Sequence, residues 1–346
     1  MPADAATSMK LSVIVPARNE QDCLAACLRS LAAQSEEGWR LGSEWEILLV
    51  DDHSTDQTRT IAQSIPGVTV MEAPQLESGW TGKNNAVWAG AQQARGEWLL
   101  FTDADTIHEP GSISRAVVEA ERHNVALLSY SPRQIVRGLW QRALMPLVFS
   151  ELAMTYPPSK VSDPEKHLAA ANGQFLLIRR NTYFANGGHE AVKNSVLEDV
   201  ALAQRIKRLK QGLRFRYAPE AVSTRMYRSL GAMVEGWTKN LALLFGNPLG
   251  IAAWRLLDFA LLFGLPLLLW WTYEVSARRF LWIIVLLLWL RTLWRFYRRV
   301  GKSNFPFKDC LLSPLALPLF AALLYRSWFQ NTILKRVNWK GREYGS

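Results

Sequence analysis

Short apolar runs alternate with amphipathic stretches through the first hundred residues. Leu11-Ser12-Val13-Ile14-Val15-Pro16, Trp45-Glu46-Ile47-Leu48-Leu49-Val50, Val68-Thr69-Val70-Met71 and Trp98-Leu99-Leu100-Phe101 are bulky or β-branched and read as buried strands. Between the first two, residues 22–33 set Leu24, Cys27, Leu28 and Leu31 on one helical face. Residues 57–64 and 84–94 also read as helical. Such alternation predicts a parallel sheet with crossover helices. Further on, residues 112–123 predict a helix and 125–131 a strand. Residues 139–154 are apolar and aromatic, which fits a domain helix or an interfacial one. Residues 170–180 read as a small turn, a strand and a basic end. A helix from residue 197 to about 210 carries Val200, Leu202, Ala203, Ile206 and Leu209 on its apolar face.

Past residue 250 the pattern changes to three long apolar segments, 251–273, 280–297 and 310–328. A bilayer crossing needs ~20 mainly apolar residues. Arg255 and Asp258 interrupt the first segment. Arg291 and Arg295 interrupt the second and must snorkel or face protein. Pro314 and Pro318 in the third leave two forms open, a span and a re-entrant hairpin. Packed helices of a soluble domain are the alternative, and three such segments with basic flanks disfavour it.

Charge sharpens this division. The 346 residues carry a net charge of +10. Residues 1–250 hold 26 Lys+Arg and 26 Asp+Glu, while residues 251–346 hold 14 against 4. The excess is therefore interleaved with apolar runs, as on membrane spans with basic flanks and not as in a nucleic-acid groove. Residues 1–10 show no signal-peptide core and read as a disordered N-terminus. Residues 331–346 read as a basic tail. Three scattered cysteines, Cys23, Cys27 and Cys310, exclude a disulfide framework, and no His or Cys cluster completes a zinc site.

The candidate chemistry sits at the strand ends. Asp103 and Asp105 follow the fourth run one residue apart; on an extended chain they point to one side and can converge on a hard cation such as Mg²⁺ or Mn²⁺. A solvated turn is the competing reading. Asp51 and Asp52 end the second run in the same way. Gly79-Trp80-Thr81-Gly82-Lys83 superficially suggests a phosphate loop, but the glycine spacing is short and Asn84 stands where Ser or Thr is needed. His189 lies in a turn and reads as structural or catalytic. Glu198 and Asp199 open a helix, where acids are favoured by the dipole whether or not they react.

Taken together, Val15-Pro16-Ala17-Arg18-Asn19-Glu20, Val50-Asp51-Asp52-His53-Ser54-Thr55-Asp56 and Thr102-Asp103-Ala104-Asp105 resemble the family 2 inverting glycosyltransferases of the GT-A fold in residues, order and spacing. The resemblance covers residues 11 to about 245. It implies an α/β, Rossmann-like, mostly parallel sheet with flanking helices over 11–245, followed here by a transmembrane α-helical region over 246–330. It implies that Asp51 reads uracil, that Asp103 lies near the ribose, and that Asp105 with Asp103 holds Mg²⁺ or Mn²⁺ on the diphosphate. Pro16, Arg18, Glu20, Asp52 and Lys83 would complete the nucleotide-sugar side. The family's Glu-Asp pair makes Asp199 the general base with Glu198 in support, and Asn172 and Gly173 would line the acceptor side. His53 departs from the family, which usually has Gly or Asn there.

Arg225-Met226-Tyr227, Glu235-Gly236-Trp237-Thr238-Lys239 and the closing Trp339-Lys340-Gly341-Arg342-Glu343-Tyr344 are similar to bacterial carotenoid-acid glycosyltransferases of the diaponeurosporenoate type and, more loosely, to hopanoid-associated ones. The Gln-x-x-Arg-Trp string of many membrane members is absent, so Trp237 and Lys239 would take over its acceptor-side roles. The expectation is a multi-pass protein of the bacterial inner membrane with a cytosolic catalytic part. It would transfer sugar from a UDP-sugar to a lipid, with no nucleic-acid partner. A polysaccharide synthase, a polyprenyl-phosphate sugar transferase and a non-catalytic nucleotide-sugar-binding protein are the alternatives. The positive-inside rule puts the loop from Arg291 to Lys308 in the cytosol. Three spans would then place the basic tail outside, against the same rule; a hairpin at the third segment would bring it back.

Overall fold

The computed structural model describes residues 9–273, 279–334, 336–339 and 342–345. In chain order the elements are β1 (Leu11–Ala17), α1 (Leu24–Ala32), β2 (Trp45–Asp51), α2 (Thr58–Gln63), β3 (Val68–Glu72), α3 (Gly82–Gln93), β4 (Trp98–Phe101), β5 (Thr106–His108), α4 (Ser112–Arg122), β6 (Leu127–Ser131), β7 (Arg133–Gln134) and α5 (Leu139–Thr155). They continue as α6 (Pro158–Val161), β8 (Leu176–Arg179), α7 (Arg180–Ala185), α8 (Glu198–Arg208), β9 (Leu213–Tyr217), β10 (Val222–Thr224) and α9 (Leu230–Leu244). The last group is α10 (Pro248–Tyr273), α11 (Arg279–Val300), α12 (Phe307–Cys310), α13 (Leu317–Trp328), β11 (Arg336–Trp339) and β12 (Arg342–Gly345). The chain divides into two compact units. One comprises residues 1–135 and 158–226, the other residues 136–157 and 227–346. The expected boundary at residue 245 thus falls inside the second unit.

The first unit is built on a seven-stranded sheet in the order β3-β2-β1-β4-β8-β6-β9. β1, β2, β3 and β4 are parallel, as are β6 and β9, while β8 runs antiparallel to both β4 and β6. The sheet is therefore mostly parallel, as expected, with one reversed strand. β1 and β2 are near-continuous apolar runs because both faces are covered. On one face Leu11, Val13 and Val15 pack with Leu24, Cys27, Leu28 and Leu31 of α1 and with Ile113 and Ala116 of α4. Each fully buried aliphatic side chain of this kind contributes about 1.5–3 kcal/mol. On the other face α3 lies close: a Cβ on Gly90 would come within 2.7 Å of Ile14 Cγ2 and 2.8 Å of Val50 Cγ2. That close approach fixes α3, and hence Lys83 in its first turn, against the ends of β1 and β2. A second sheet, β5-β10-β7, uses strands of two or three residues, too short for any alternation to register in the sequence.

The second unit is helical. α5, although flanked on both sides by the first unit, belongs here and buries Leu144, Leu147 and Val148. Three segments are long and apolar enough to cross a membrane: Pro248–Tyr273, Phe280–Ser303 and Phe307–Leu334. The charges inside the first are accounted for. Arg255 reaches Glu151 of α5 and Asp258, both at 3.1 Å, and Arg299 of α11 reaches Asp258 at 2.6 Å. Arg291 and Arg295 stay exposed on α11. β11 and β12 pair as an antiparallel hairpin in the tail. The expectation of disorder over residues 1–10 falls mostly, and the tail's Lys335 and Lys340 wholly, outside the described residues.

Candidate active site

The loops after β1 and β2 are laced together. Arg18 Nη1 donates to the Asp52 carbonyl at 2.7 Å and lies 3.9 Å from its carboxylate. Asn19 N–H donates to Ser54 Oγ, Thr55 N–H donates to Asn19 Oδ1, and Glu20 N–H donates to Thr58 Oγ1 at 2.8 Å. Pro16 sits in β1 opposite Val50. Asp51, the last residue of β2, is buried and accepts from Ser54 N–H at 3.2 Å. His53 has a φ of 54°, a left-handed conformation that favours Gly or Asn. That explains why the family usually has those residues there. The ring's Nδ1 lies 3.1 Å from Glu72 Oε1.

β4 ends at Phe101, so Asp103 and Asp105 lie in the turn before β5 and not on an extended chain. The i, i+2 strand argument for their convergence therefore does not hold. Behind them Thr102 Oγ1 donates to the Gln174 carbonyl at 2.8 Å and sits 3.1 Å from His108 Nε2. Burial pushes His108 down to about 3, so it is a neutral strut.

Lys83 is the hub. Its ammonium lies 2.8 Å from Asp103 Oδ1 and 2.7 Å from Glu198 Oε1. It enters from the first turn of α3, capped by Thr81, whose Oγ1 accepts from Asn84 N–H at 3.2 Å. The fully buried Asn84 amide is directed at the carbonyls of Val192, Lys193 and Ser195 at 3.0, 3.1 and 3.0 Å, just upstream of α8. Sequence reasoning passed over Asn84 except as a departure from a phosphate loop; the only signal was a polar pair opening a helix. Asp199, one residue into α8, accepts from Gly173 N–H on Oδ2 and from its neighbour Val200 N–H on Oδ1, each at 2.8 Å. A Cβ on Gly173 would stand 3.0 Å from Lys83 Nζ, 3.4 Å from Glu198 Oε1 and 3.6 Å from Asp199 Oδ2. Gly173 therefore marks the point where these three charged groups converge.

The electrostatics split the acid pair. Burial works against the charge on Glu198, but Lys83 holds it below the ordinary carboxylate range. Burial, then the negative charge of Glu198, pushes Asp199 up to about 7, against the pull of Lys83 and the two N–H donors. Lys83 is held well above the usual lysine range: burial opposes its charge, and Asp103 and Glu198 more than offset that. Neighbouring carboxylates driven apart in this way are the arrangement from which acid and base roles are drawn.

Other expected residues fall elsewhere. Asn172 turns its side-chain oxygen back to accept from Gln174 N–H at 2.9 Å, so it shapes the loop that presents Gly173. His189 is buried, 2.8 Å from Tyr183 Oη, and burial lowers it to about 4; it is structural. Trp237 and Lys239 belong to α9 of the second unit, where Trp237 is buried against Phe149 and Tyr227. Among the described residues no group of three or more His, Cys, Asp or Glu side chains could hold a metal by itself.

Residues 12–183 match the family described as Glycosyl transferase family 2, a span that runs from β1 into α7 and holds Arg18, Asp51, Lys83, Asp103, Asp105 and Gly173. The protein carries a family 2 glycosyltransferase domain. It is a glycosyltransferase with a GT-A-like fold. The 4,4'-diaponeurosporenoate glycosyltransferase of Staphylococcus aureus (strain USA300) is 26% identical over 348 residues, covering 96% of this chain and 88% of that protein. The mannosyltransferase PcManGT from Pyrobaculum calidifontis, solved with GDP-Man and Mn²⁺, superposes with a TM-score of 0.51 at 18% identity, over 94% of this chain and 88% of that one. That likeness concerns the fold.

Proposed function

We propose that this glycosyltransferase moves a sugar from a UDP-sugar to a lipid acceptor in one inverting displacement at the cytosolic face of the bacterial inner membrane. The observation that carries the reading is Asp199, raised to about 7 and oriented by the Gly173 N–H beside an ion-paired Glu198 and Lys83. A base poised near neutral pH is what removal of an acceptor proton requires. Glu198 supports it by holding Lys83, which in turn holds Asp103.

On the donor side, Asp51 suits the N–H edge of uracil, Asp103 the ribose, and Pro16, Arg18, Glu20 and Asp52 the walls around them. Asp105 and Asp103 offer hard carboxylate oxygens. Two such ligands fit Mg²⁺ or Mn²⁺, whose remaining positions are ordinarily filled by phosphate oxygens and water. When bound, the ion offsets charge gathering on the departing nucleoside diphosphate. Asn172 and Gly173 would line the acceptor side of this unit, and Trp237 and Lys239 stay candidates for acceptor contacts from their resemblance alone. Three apolar helices and the carotenoid-acid acceptor in the name of the S. aureus relative support a lipid acceptor.

The relative's name favours a second form of the acceptor. A hydroxyl needs Asp199 to take its proton, whereas a carboxylic acid reaches the site already ionised. Asp199→Asn separates them. We expect nucleotide binding to survive and transfer to be lost, as for a hydroxyl. Transfer at the native rate would remove Asp199 as base and point to a carboxylate acceptor.

A further inference from the structure

The three apolar segments of the second unit are not alike. In their most apolar stretches 17% of Pro248–Tyr273 and 11% of Phe280–Ser303 is buried, against 50% of Phe307–Leu334. The third is also broken. α12 stops at Cys310, a 3-10 turn occupies Ser313–Ala316, and α13 has twelve residues. α13 then runs into a π-helical stretch, Phe329–Leu334, so the segment is helical in short pieces of different pitch and not one regular α-helix like α10 or α11.

Both ends of this segment return to α5 and α9. At its start Asp309 Oδ1 lies 3.3 Å from Arg142 Nε of α5. At its end Ser327 Oγ accepts from Ala242 N–H of α9 at 2.8 Å, and Asn331 Nδ2 reaches the Lys239 carbonyl of α9 at 3.5 Å. β11 then packs along α9. Glu151 of α5 ties the same level to the start of α10 through Arg255 and to the end of α11 through Arg299, 3.8 Å away. A cluster of four charges is costly within hydrocarbon and belongs near the headgroups.

We propose, on the membrane reading given above, that residues 307–334 lie in the surface of one leaflet and do not cross it. The chain crosses twice, as an α10–α11 hairpin, and the C-terminal hairpin returns to the side from which α9 enters α10. The partner is the boundary between headgroups and acyl chains. Phe307, Leu311, Leu315 and Tyr325 stand 67, 48, 57 and 54% exposed, while Leu317 and Phe320 face inward. Exposed Lys302, Lys308 and Arg326 alternate with them and suit anionic headgroups. Two crossings also put the six basic residues between Arg291 and Lys308 on the same side as the tail's Lys335, Arg336, Lys340 and Arg342. Three crossings would separate the two groups, against the positive-inside rule.

The test is labelling by a membrane-impermeant maleimide in inside-out and right-side-out vesicles. It uses the full chain with Cys23, Cys27 and Cys310 replaced, carrying Ser43→Cys, Ser276→Cys or Gly345→Cys. Gly345→Cys and Ser43→Cys should react in one orientation and Ser276→Cys in the other. If Gly345→Cys instead reacts with Ser276→Cys, the third segment crosses and the proposal falls while the membrane reading stands. Should all three react in one orientation, nothing crosses and both fall. Protease access to a C-terminal epitope tag on the native-cysteine chain gives the same comparison where the substituted background does not fold.

Discussion

Replacing Glu198 by Gln should move the acid limb of the pH–rate profile downward. In the native protein the Glu198 charge is the second cause, after burial, of the rise of Asp199 to about 7. Their distances to a Cβ on Gly173 put the two carboxylate oxygens no more than about 7 Å apart. Two unit charges at about that separation repel by ~2.4 kcal/mol at an effective dielectric of ~20, equivalent to ~1.5–2 pH units. The substitution keeps the side chain's size and an oxygen facing Lys83 but removes the charge. Asp199 works as base only when ionised, so activity rises with pH through its pKa. At pH 6 the ionised fraction should climb from about a tenth to about three quarters as the pKa falls to roughly 5.5. The plateau should drop, because a weaker base accepts a proton less readily. The assay is kcat/KM for transfer to lipid between pH 5 and 9. An unchanged limb, or one displaced upward, would refute the coupling of Glu198 to Asp199.

Asp105→Ala should abolish metal-dependent UDP binding measured by calorimetry while leaving thermal unfolding in detergent unchanged; equal metal dependence in both proteins would remove Asp105 as a ligand. Asn84→Ala leaves the carbonyls of Val192, Lys193 and Ser195 without their shared donor, and should cost about 1–3 kcal/mol of stability. It should also lower kcat more than it raises KM, since Lys83 and α8 lose their common anchor; native stability together with native kcat would count against that role.

The long buried strands were legible because their patterns are long. β1 and β2 are apolar but for Ser12 in the one and Glu46 and the closing Asp51 in the other, and the rhythm of strand and helix around them can form little besides a parallel sheet. β5, β7 and β10 were illegible for the opposite reason, since two or three residues carry no period. α5 was ambiguous because its apolar residues are spread around the helix with Gln141, Arg142, Ser150 and Glu151 among them, and nothing in its composition says that it packs with helices begun ninety residues later. At the site, the residue types were readable and their conformation was not. Asp103 and Asp105 follow a strand, but the chain turns before reaching them. Lys83 could be tied to Asp103 and Glu198 only by folding, which joins positions 20 and 115 residues apart. Glu198 and Asp199 look like ordinary helix-opening acids, and no periodicity reveals that one is ion-paired while the other is driven toward neutrality. His53 shows the reverse case: a departure at one position becomes intelligible once its left-handed backbone is known.

The most direct test of the central claim is a donor screen. The detergent-solubilised protein, with Mg²⁺ or Mn²⁺ and a total lipid extract, is incubated with a panel of radiolabelled nucleotide sugars and then extracted with organic solvent. The account predicts metal-dependent passage of label from a UDP-sugar into the organic phase, with the product's mass naming the acceptor. Label that remains in water with every donor, with or without metal, would contradict it.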